Sequence, residues 1–436
     1  MHCAPRILRL LACVCLLVSS AISSAASSDK LAFDRSRFHA ILDNVSSQVE
    51  KNFYDANMHG LDWKALKQEA STRIDNAQSV SAMITAITIL VNKLDDSHTI
   101  FVPPQRVDRP EFGFQAKAFG DRILIYNLKK DGAAAAAGLQ LGDQIITLNG
   151  YNALRENFDL MMLYYRALHP VGSLEMVIQR GQEPQRNIHL QAKVIEGKTN
   201  IDLTKMDTIW QMIREGENNQ EQFYVSTSNE GVGYLGMKSF MVDEGFVQSL
   251  ISRVKRSRAT IIDLRGNMGG REDMLAELSG HFQSEPGSMA DLVSRKKTEQ
   301  LRIKPRAPSI SGPMFILVDS QSASAAEMFA RYFQMNKQAV VIGDRTSGRV
   351  NSARMFWERQ GSDVFVLYGV EISTQKVLFP GGEQLEKHGV TPDIACIPTA
   401  EDLFKQNDPC LGMAESMARK ALAVPEPTTK ADAKAN

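Results

Sequence analysis

The stretch VDSQSASAAEMFARYF, from Val318 to Phe333, places three serines where an apolar strand gives way to a helix. The N–H groups in the first turn of a helix are unpaired and carry the positive end of its dipole, so they stabilise a nearby anion. A serine at this corner is therefore a candidate nucleophile. Ser324 and Glu327 also have the spacing of a capping box, which gives the same serines a purely structural interpretation.

A second loop that could do chemistry is RGNMGG, Arg265 to Gly270, which follows the apolar stretch TIIDL. Gly269 and Gly270 lack side chains, so backbone N–H groups in this loop can face a ligand. The loop has no Lys-Ser or Lys-Thr sequel, which argues against a phosphate cradle for a nucleotide.

Composition and spacing exclude several classes of function. Lys plus Arg and Asp plus Glu both number 50, so no net charge draws the chain to nucleic acid or to an anionic membrane. The histidines show no i, i+4 pair, which gives no support for a metal or other cofactor. A serine nucleophile needs a base, and spacing does not identify which of the eight histidines would serve.

The N-terminus has the pattern of a cleavable export signal over residues 1–25. A basic MHCAPRILR precedes the apolar LLACVCLLV and a run of small residues, and the mature chain is predicted to start near Ala26, secreted or periplasmic. The apolar run is shorter than the ~20 residues that span a bilayer, so a membrane anchor is the weaker alternative. In an oxidising compartment Cys396 and Cys410 either pair or remain two buried thiols.

The elements around these loops are predicted from periodicity. Residues 29–110 have a helical pattern, as in SAMITAITILVNKL, and form a predicted N-terminal helical domain. From Gly231 strands and helices alternate, which indicates an α/β layer with mostly parallel strands whose active site gathers at strand ends. The C-terminal tail, 413–436, is predicted to be largely disordered because its end lacks apolar residues.

Residues 111–196 have a different texture and resemble the PDZ family. The pairs Gly138-Leu139, Gly142-Asp143 and Asn149-Gly150 fall in the register of that family. The resemblance implies a β-domain to which a peptide adds as a strand beside a carboxylate-binding loop. The equivalent loop here consists of Glu111, Phe112, Gly113 and Phe114. An ordinary small β-domain without a ligand is the alternative, since a fold does not prove a function.

Five ordered motifs then resemble the carboxy-terminal processing (tail-specific) serine peptidases and their tricorn-core relatives. They are GYLGMKSF, DLRGNMGG, SASAAE, GDRTSG and GVTPDI. The resemblance implies a crotonase-like ββα core, expected over 197–412. It also implies that Ser324 is the nucleophile and that the backbone N–H groups of Ala325 and Gly269 form the oxyanion hole.

The family has two ways of activating its serine. One branch uses a lysine followed four residues later by a glutamine, but this chain has Arg349 and Ala353 there, and arginine keeps its proton. The tricorn-like branch uses the histidine of a Ser-His pair and a glutamate before the GV.PD motif. Ser97 and His98 in LDDSHTIF, and Glu386 in EKHGVTPD, match that branch.

The resemblance therefore implies an exported serine peptidase that cleaves peptides or unfolded proteins by acyl transfer to Ser324, with His98 as base. No cofactor, nucleic-acid partner or membrane span in the mature chain is expected, and the oligomeric state stays open. The alternative is a binding protein for peptides or apolar ligands on the same scaffold, as in interphotoreceptor retinoid-binding protein, because the arginine at position 349 leaves an inactive homologue conceivable.

Overall fold

A computed structural model describes residues 5–104, 109–195, 223–361 and 366–423. Its contacts divide the chain into two compact units. The first unit comprises residues 1–105 and 354–372, and the second comprises 106–353 and 373–436. The predicted boundary at 196–197 lies outside the described residues.

Helices dominate the first unit, as the sequence predicts. They are α1 (Pro5–Asn52), a 3₁₀ turn (Met58–Gly60), α2 (Trp63–Asp75) and α3 (Val80–Asn92). The side chains of Asp62 and Ser79 accept hydrogen bonds from first-turn N–H groups and so cap α2 and α3. The apolar face predicted within 83–94 is buried. No helix in the described part of the chain is long and apolar enough to cross a membrane.

The first unit also takes in residues 354–372, which corrects the predicted extent of the core. Strand β1 (Ile100–Val102) pairs antiparallel with β18 (Val366–Leu378), with Ile100 opposite Glu371. Strand β17 (Ser352–Gln360) pairs with β18 as well. Sequence periodicity does not reveal that residues 354–372 belong to the first unit, because the β1–β18 pairing joins segments more than 250 residues apart.

An antiparallel β-domain, residues 109–195, begins the second unit. Its sheet has the order β3-β4-β5-β7-β8, with β6 beside β5 and β2 paired to β9. Its short helices are α4 (Ala133–Ala136) and α5 (Phe158–Leu163), followed by a π-helical turn (Tyr164–Leu168). The strands are β2 (Arg109–Glu111), β3 (Phe114–Phe119), β4 (Arg122–Leu128), β5 (Gln144–Leu148), β6 (Tyr151–Asn152), β7 (Ser173–Gln179), β8 (Arg186–Gln191) and β9 (Lys193–Ile195).

The α/β layer of the second unit confirms the predicted alternation. Its sheet has the order β10-β11-β12-β15-β16-β19, and every pair except β10–β11 is parallel. A hairpin of β13 and β14 pairs through β13 with the end of β18. The strands are β10 (Phe223–Thr227), β11 (Val232–Met237), β12 (Ala259–Asp263), β13 (Gly287–Val293), β14 (Thr298–Ile303), β15 (Met314–Val318), β16 (Ala339–Gly343) and β19 (Ile394–Ala395).

Helices pack on this sheet and bury its strands. They are α6 (Glu244–Val254), α7 (Glu272–Gly280), α8 (Ala325–Met335) and α10 (Pro409–Ala423). The short helix α9 (Ala400–Lys405) has no buried residue. Strands β12 and β15 are buried at every position. Because the layer is closed on both faces, its polar chemistry is confined to the loops at the strand ends.

Helix α10 corrects the prediction that residues from 413 onward form a disordered tail. It extends to Ala423, and Ala414 and Ala418 are fully buried in an apolar cluster with Phe315 and Leu317 of β15. The small and apolar residues at this helical spacing cover one face of the sheet, which stabilises the helix. The rest of the predicted tail, 424–436, lies outside the described residues.

Candidate active site

Ser324 lies at the junction between the loop after β15 and helix α8, where it is the N-cap residue. Its backbone has φ 54° and ψ −120°, a combination that a residue with a side chain rarely adopts. Such a conformation costs about 1–3 kcal/mol and persists only where neighbouring structure enforces it, often at functional sites. The half-buried serine is therefore held in a strained turn that follows a strand and opens a helix.

Gly269 lies directly against this serine. A Cβ atom built on Gly269 would be 2.6 Å from Ser324 Cβ and 3.0 Å from the backbone nitrogen of Ala325. Gly269 also has φ +97°, which favours glycine. The structure thus brings together the two loops from which the sequence predicts an oxyanion hole.

The N–H of Gly269 has a partner that the sequence prediction missed. It donates to Oδ1 of Asn267 at 2.8 Å, and Nδ2 of Asn267 in turn donates to the carbonyl of Met237. Asn267 is completely buried, so its amide fixes the turn from inside. The asparagine two residues before a glycine pair is a sequence signal for such a turn.

Asp319 joins the two loops and is another residue that the sequence analysis missed. One of its carboxylate oxygens accepts from the backbone N–H of Gly266 at 2.8 Å and from those of Gln321 and Ser322 at 3.0 and 3.1 Å. The other oxygen forms an ion pair with Lys117 of β3. Burial acts to raise the pKa of Asp319, but the Lys117 ammonium and the backbone donors outweigh it and lower the pKa.

Glu327, which the sequence suggests only as half of a capping box, is fully buried. Its carboxylate accepts from the N–H of Ser324 at 3.2 Å, as in a capping box. It also accepts from the Thr346 hydroxyl and from the N–H groups of Gly348 and Arg349. Burial raises the pKa of Glu327 to about 7, although the hydrogen bonds to its carboxylate act in the opposite direction.

Ser97 and His98 belong to the first unit, between α3 and β1. Their side chains contact each other, with Ser97 Oγ 3.0 Å from His98 Nδ1. His98 is 8% exposed, and its backbone N–H donates to the carboxylate of Asp96, which also accepts from the Thr99 hydroxyl. The local turn therefore fixes the imidazole and presents Nδ1 to a hydroxyl.

Glu386, in the second unit, holds the backbone beyond Arg349. Its Oε2 accepts from the N–H groups of Val350 and Asn351 at 3.0 and 3.2 Å. Loop 346–351 is thus held by two carboxylates, those of Glu327 and Glu386. The backbone carbonyl of Arg349 accepts from the N–H of Ser324 at 2.6 Å.

The predicted peptide loop, 111–114, connects β2 to β3. Phe112 and Phe114 are buried in the core of the β-domain, and Gly113 has φ +78°. In the strand order of the described sheet β3 is an edge strand, the position to which an added peptide strand pairs. Glu111 forms an ion pair with Lys129 at 2.9 Å.

Within the second unit, a cavity of about 660 Å³ lies between the β-domain and the strand-end loops. Lys117 and Arg166 line it from the β-domain, and Met268 and Asp319 line it from the α/β layer. Cys396 and Cys410 form part of its wall. They are joined by a disulfide, so of the two alternatives that the sequence left open the structure has the paired one.

Parts of the chain match known protein families. Residues 231–396 match peptidase family S41, and residues 34–87 match the tricorn protease C1 domain. The carboxyl-terminal-processing peptidase 1 of Arabidopsis thaliana chloroplasts is 22% identical over 86% of this chain and 75% of its own length. Carboxy-terminal processing protease CtpB of Bacillus subtilis is 21% identical over 76% of this chain and 66% of its own length.

Solved structures share the fold. Mature CPAF has a TM-score of 0.65 at 14% identity, covering 89% of this chain and 98% of that chain. The photosystem II D1 C-terminal processing protease has a TM-score of 0.50 at 16% identity, covering 83% and 93%. The matched domains and the processing peptidases among the relatives indicate a serine-type peptidase. The chain contains a peptidase family S41 domain over residues 231–396 and a tricorn protease C1 domain over residues 34–87, and its relatives include carboxy-terminal processing peptidases.

Proposed function

We propose that Ser324 is the nucleophile of this peptidase and that its hydroxyl oxygen attacks the scissile carbonyl of a peptide or unfolded protein. The observation that carries the proposal is the strained backbone of Ser324 at the start of α8, directly against Gly269. The strained turn at the end of a buried strand projects the hydroxyl beyond the sheet edge. An ordinary helix cap needs no such strain.

His98 acts as the general base in this proposal and returns the proton to the leaving amine. If Nδ1–H donates to the hydroxyl of Ser97, then Nε2 keeps its lone pair and accepts the proton of the nucleophile. Such proton transfer contributes roughly 10² to 10⁴ in rate. His98 and Ser324 belong to different units, and their pairing rests on the sequence resemblance to the tricorn-like branch. Glu386 orients the site.

The proposed oxyanion hole consists of the N–H groups of Ala325 and Gly269. Ala325 is the first residue of α8, so its N–H has no acceptor within the helix. The N–H of Gly269 donates to Asn267 in this structure, so in the reaction it must either turn toward the developing oxyanion or donate to both acceptors. Losing one such donor costs about 10² to 10³ in rate.

We also propose a PDZ-like role for the β-domain and a crotonase-like ancestry for the α/β core. The open edge of β3 and the loop 111–114 support strand addition by a substrate peptide. Export to the periplasm or outside the cell is proposed from the N-terminal signal pattern. The disulfide between Cys396 and Cys410 supports an oxidising compartment.

The test is labelling by a fluorophosphonate and hydrolysis of unfolded casein by the mature chain. We expect both to be lost in Ser324→Ala and in His98→Ala. His388→Ala is the matched control for the base, since this histidine is exposed and its Nδ1 bonds to the backbone carbonyl of Glu386. Loss with His388→Ala but not with His98→Ala would reassign the base. A folded wild-type chain that neither labels nor cleaves would instead support the non-catalytic binding protein.

A further inference from the structure

Glu327 has more hydrogen-bond donors around it than a helix cap requires. Oε1 accepts from the Thr346 hydroxyl and from the N–H of Gly348 at 2.8 Å. Oε2 accepts from the N–H of Arg349 at 2.9 Å and from that of Ser324 at 3.2 Å. A capping box uses only the last of these, so three donors from a distant loop remain to be explained.

All three of these donors belong to loop 346–349, which is therefore the second partner of Glu327 besides Ser324. Thr346 is buried, and its hydroxyl also accepts from the N–H of Val390 at 2.6 Å. The loop also contacts Ser324 directly. The Ser324 N–H donates both to the carbonyl of Arg349 and to the carboxylate of Glu327. The Ser324 peptide group is therefore held from two sides by one connected network.

We propose that Glu327 is a positioning residue for the nucleophile. It holds the Ser324 backbone in its strained conformation and locks loop 346–349 against it. The inference rests on the proposed function of Ser324, whose oxygen would be displaced if the peptide relaxed. A displacement of about 1 Å at a reacting atom can cost about 10² in rate.

An amide cannot replace the ionised carboxylate, which is the form that predominates above the Glu327 pKa of about 7. All four partners are donors, and a glutamine offers one accepting oxygen and one donating NH₂ group. Two donors would then face another donor in a fully buried site, where a lost hydrogen bond is not replaced by water.

The experiment compares the second-order rate constant for fluorophosphonate labelling in wild type and Glu327→Gln, well below the unfolding temperature of each. We expect labelling of the variant to be slower by about 100-fold and kcat for a peptide substrate to fall with KM little changed. Asp402→Asn is the matched control, because Asp402 completes a capping box with Thr399 at the start of α9. It should lose stability without slower labelling.

A second pair keeps the inference testable if Glu327→Gln does not fold. Thr346→Val removes one donor to Glu327, and Thr346→Ser retains the hydroxyl. We expect slower labelling in the first and wild-type labelling in the second. Wild-type rates in folded Glu327→Gln, or in Thr346→Val, would overturn the positioning role and leave the nucleophile intact. A wild-type chain that does not label would instead remove the proposed function itself.

Discussion

Ser324 and Gly269 show how closely the two candidate catalytic loops depend on backbone geometry at single residues. Both have positive φ, and the gap between them has no room for another carbon atom. The hydroxyl of Ser324 and the N–H of Ala325 keep their places only if Gly269 stays small. The strain at Ser324 is compensated locally by the network around Glu327.

We predict that Gly269→Ala abolishes most of the labelling of Ser324. The new methyl group would lie 2.6 Å from Ser324 Cβ, so one of the two loops must move. The expected decrease in the labelling rate is about 100-fold. Gly266→Ala in the same loop is the matched control, since φ is also positive, at +70°, but the nearest atom is Lys238 Cδ at 4.0 Å. Equal rates in the two variants would contradict the close-approach argument.

Glu327 should also leave a signature in the pH dependence of stability. Its pKa in the folded chain is about 7, against 4.5 for an ordinary glutamate, so the folded state binds this proton more tightly than the unfolded state. The stabilisation is complete below pH 4.5 and is lost as the pH rises through 7. Between these limits the free energy of unfolding of wild type should fall by about 3 kcal/mol relative to Glu327→Gln. Urea unfolding of both proteins at several pH values measures this difference. The same pH dependence of the unfolding free energy in wild type and Glu327→Gln would refute the prediction.

At the scale of the elements, the site depends on two neighbouring parallel strands. β12 and β15 are paired in register from Thr260 opposite Met314 to Asp263 opposite Leu317, so their following loops emerge side by side. Asp319 then ties both loops together through backbone N–H groups. This is why motifs separated by some fifty residues meet at one edge of the sheet.

The disulfide secures a second pair of elements, since Cys396 follows β19 and Cys410 lies in α10. The bond spans 14 residues. Closing a loop of this size removes about 3 kcal/mol of unfolded-state entropy. We predict that the double variant Cys396→Ser/Cys410→Ser loses about 2–4 kcal/mol of unfolding free energy. Urea unfolding with and without reductant measures this loss. Reductant should lower the unfolding free energy of the wild type and leave that of the variant unchanged. A wild type whose unfolding free energy does not change under reductant would contradict the prediction.

At the scale of the whole second unit, buried ion pairs connect the β-domain to the α/β layer. Lys117 pairs with Asp319, and Arg155 pairs with Asp344 at 2.9 Å. Their side chains are only 10–13% exposed, so each pair is shielded from water. Lys117 therefore joins the proposed peptide-binding strand β3 to the carboxylate that organises both candidate catalytic loops.

We predict that Lys117→Met lowers the free energy of unfolding by about 3–5 kcal/mol, because it leaves a buried carboxylate without its cation. Lys129→Met is the control in the same domain, since the Lys129–Glu111 pair is largely exposed and should contribute much less. Both are measured by urea unfolding at neutral pH. A similar loss in the two variants would mean that the Lys117–Asp319 pair has no special role.

Local patterns predicted the alternation of strands and helices after Gly231. Strands β11, β12, β15 and β16 and helices α6 to α8 follow it, whereas the β13–β14 hairpin and strands β18 and β19 were not predicted. Helix α10 and the transfer of residues 354–372 to the first unit were not predicted. Both depend on packing against distant strands, which periodicity within a short window does not report.

For the candidate site, the sequence by itself determined the residue types, the order of the motifs and the family resemblance, and hence Ser324, Gly269, His98 and Glu386 as candidates. Only the tertiary structure decided the backbone strain of Ser324 and the partners of Gly269 and Glu327. The physical reason is that chemical identity is local, whereas burial, φ and hydrogen-bond geometry are imposed by residues far away in the chain.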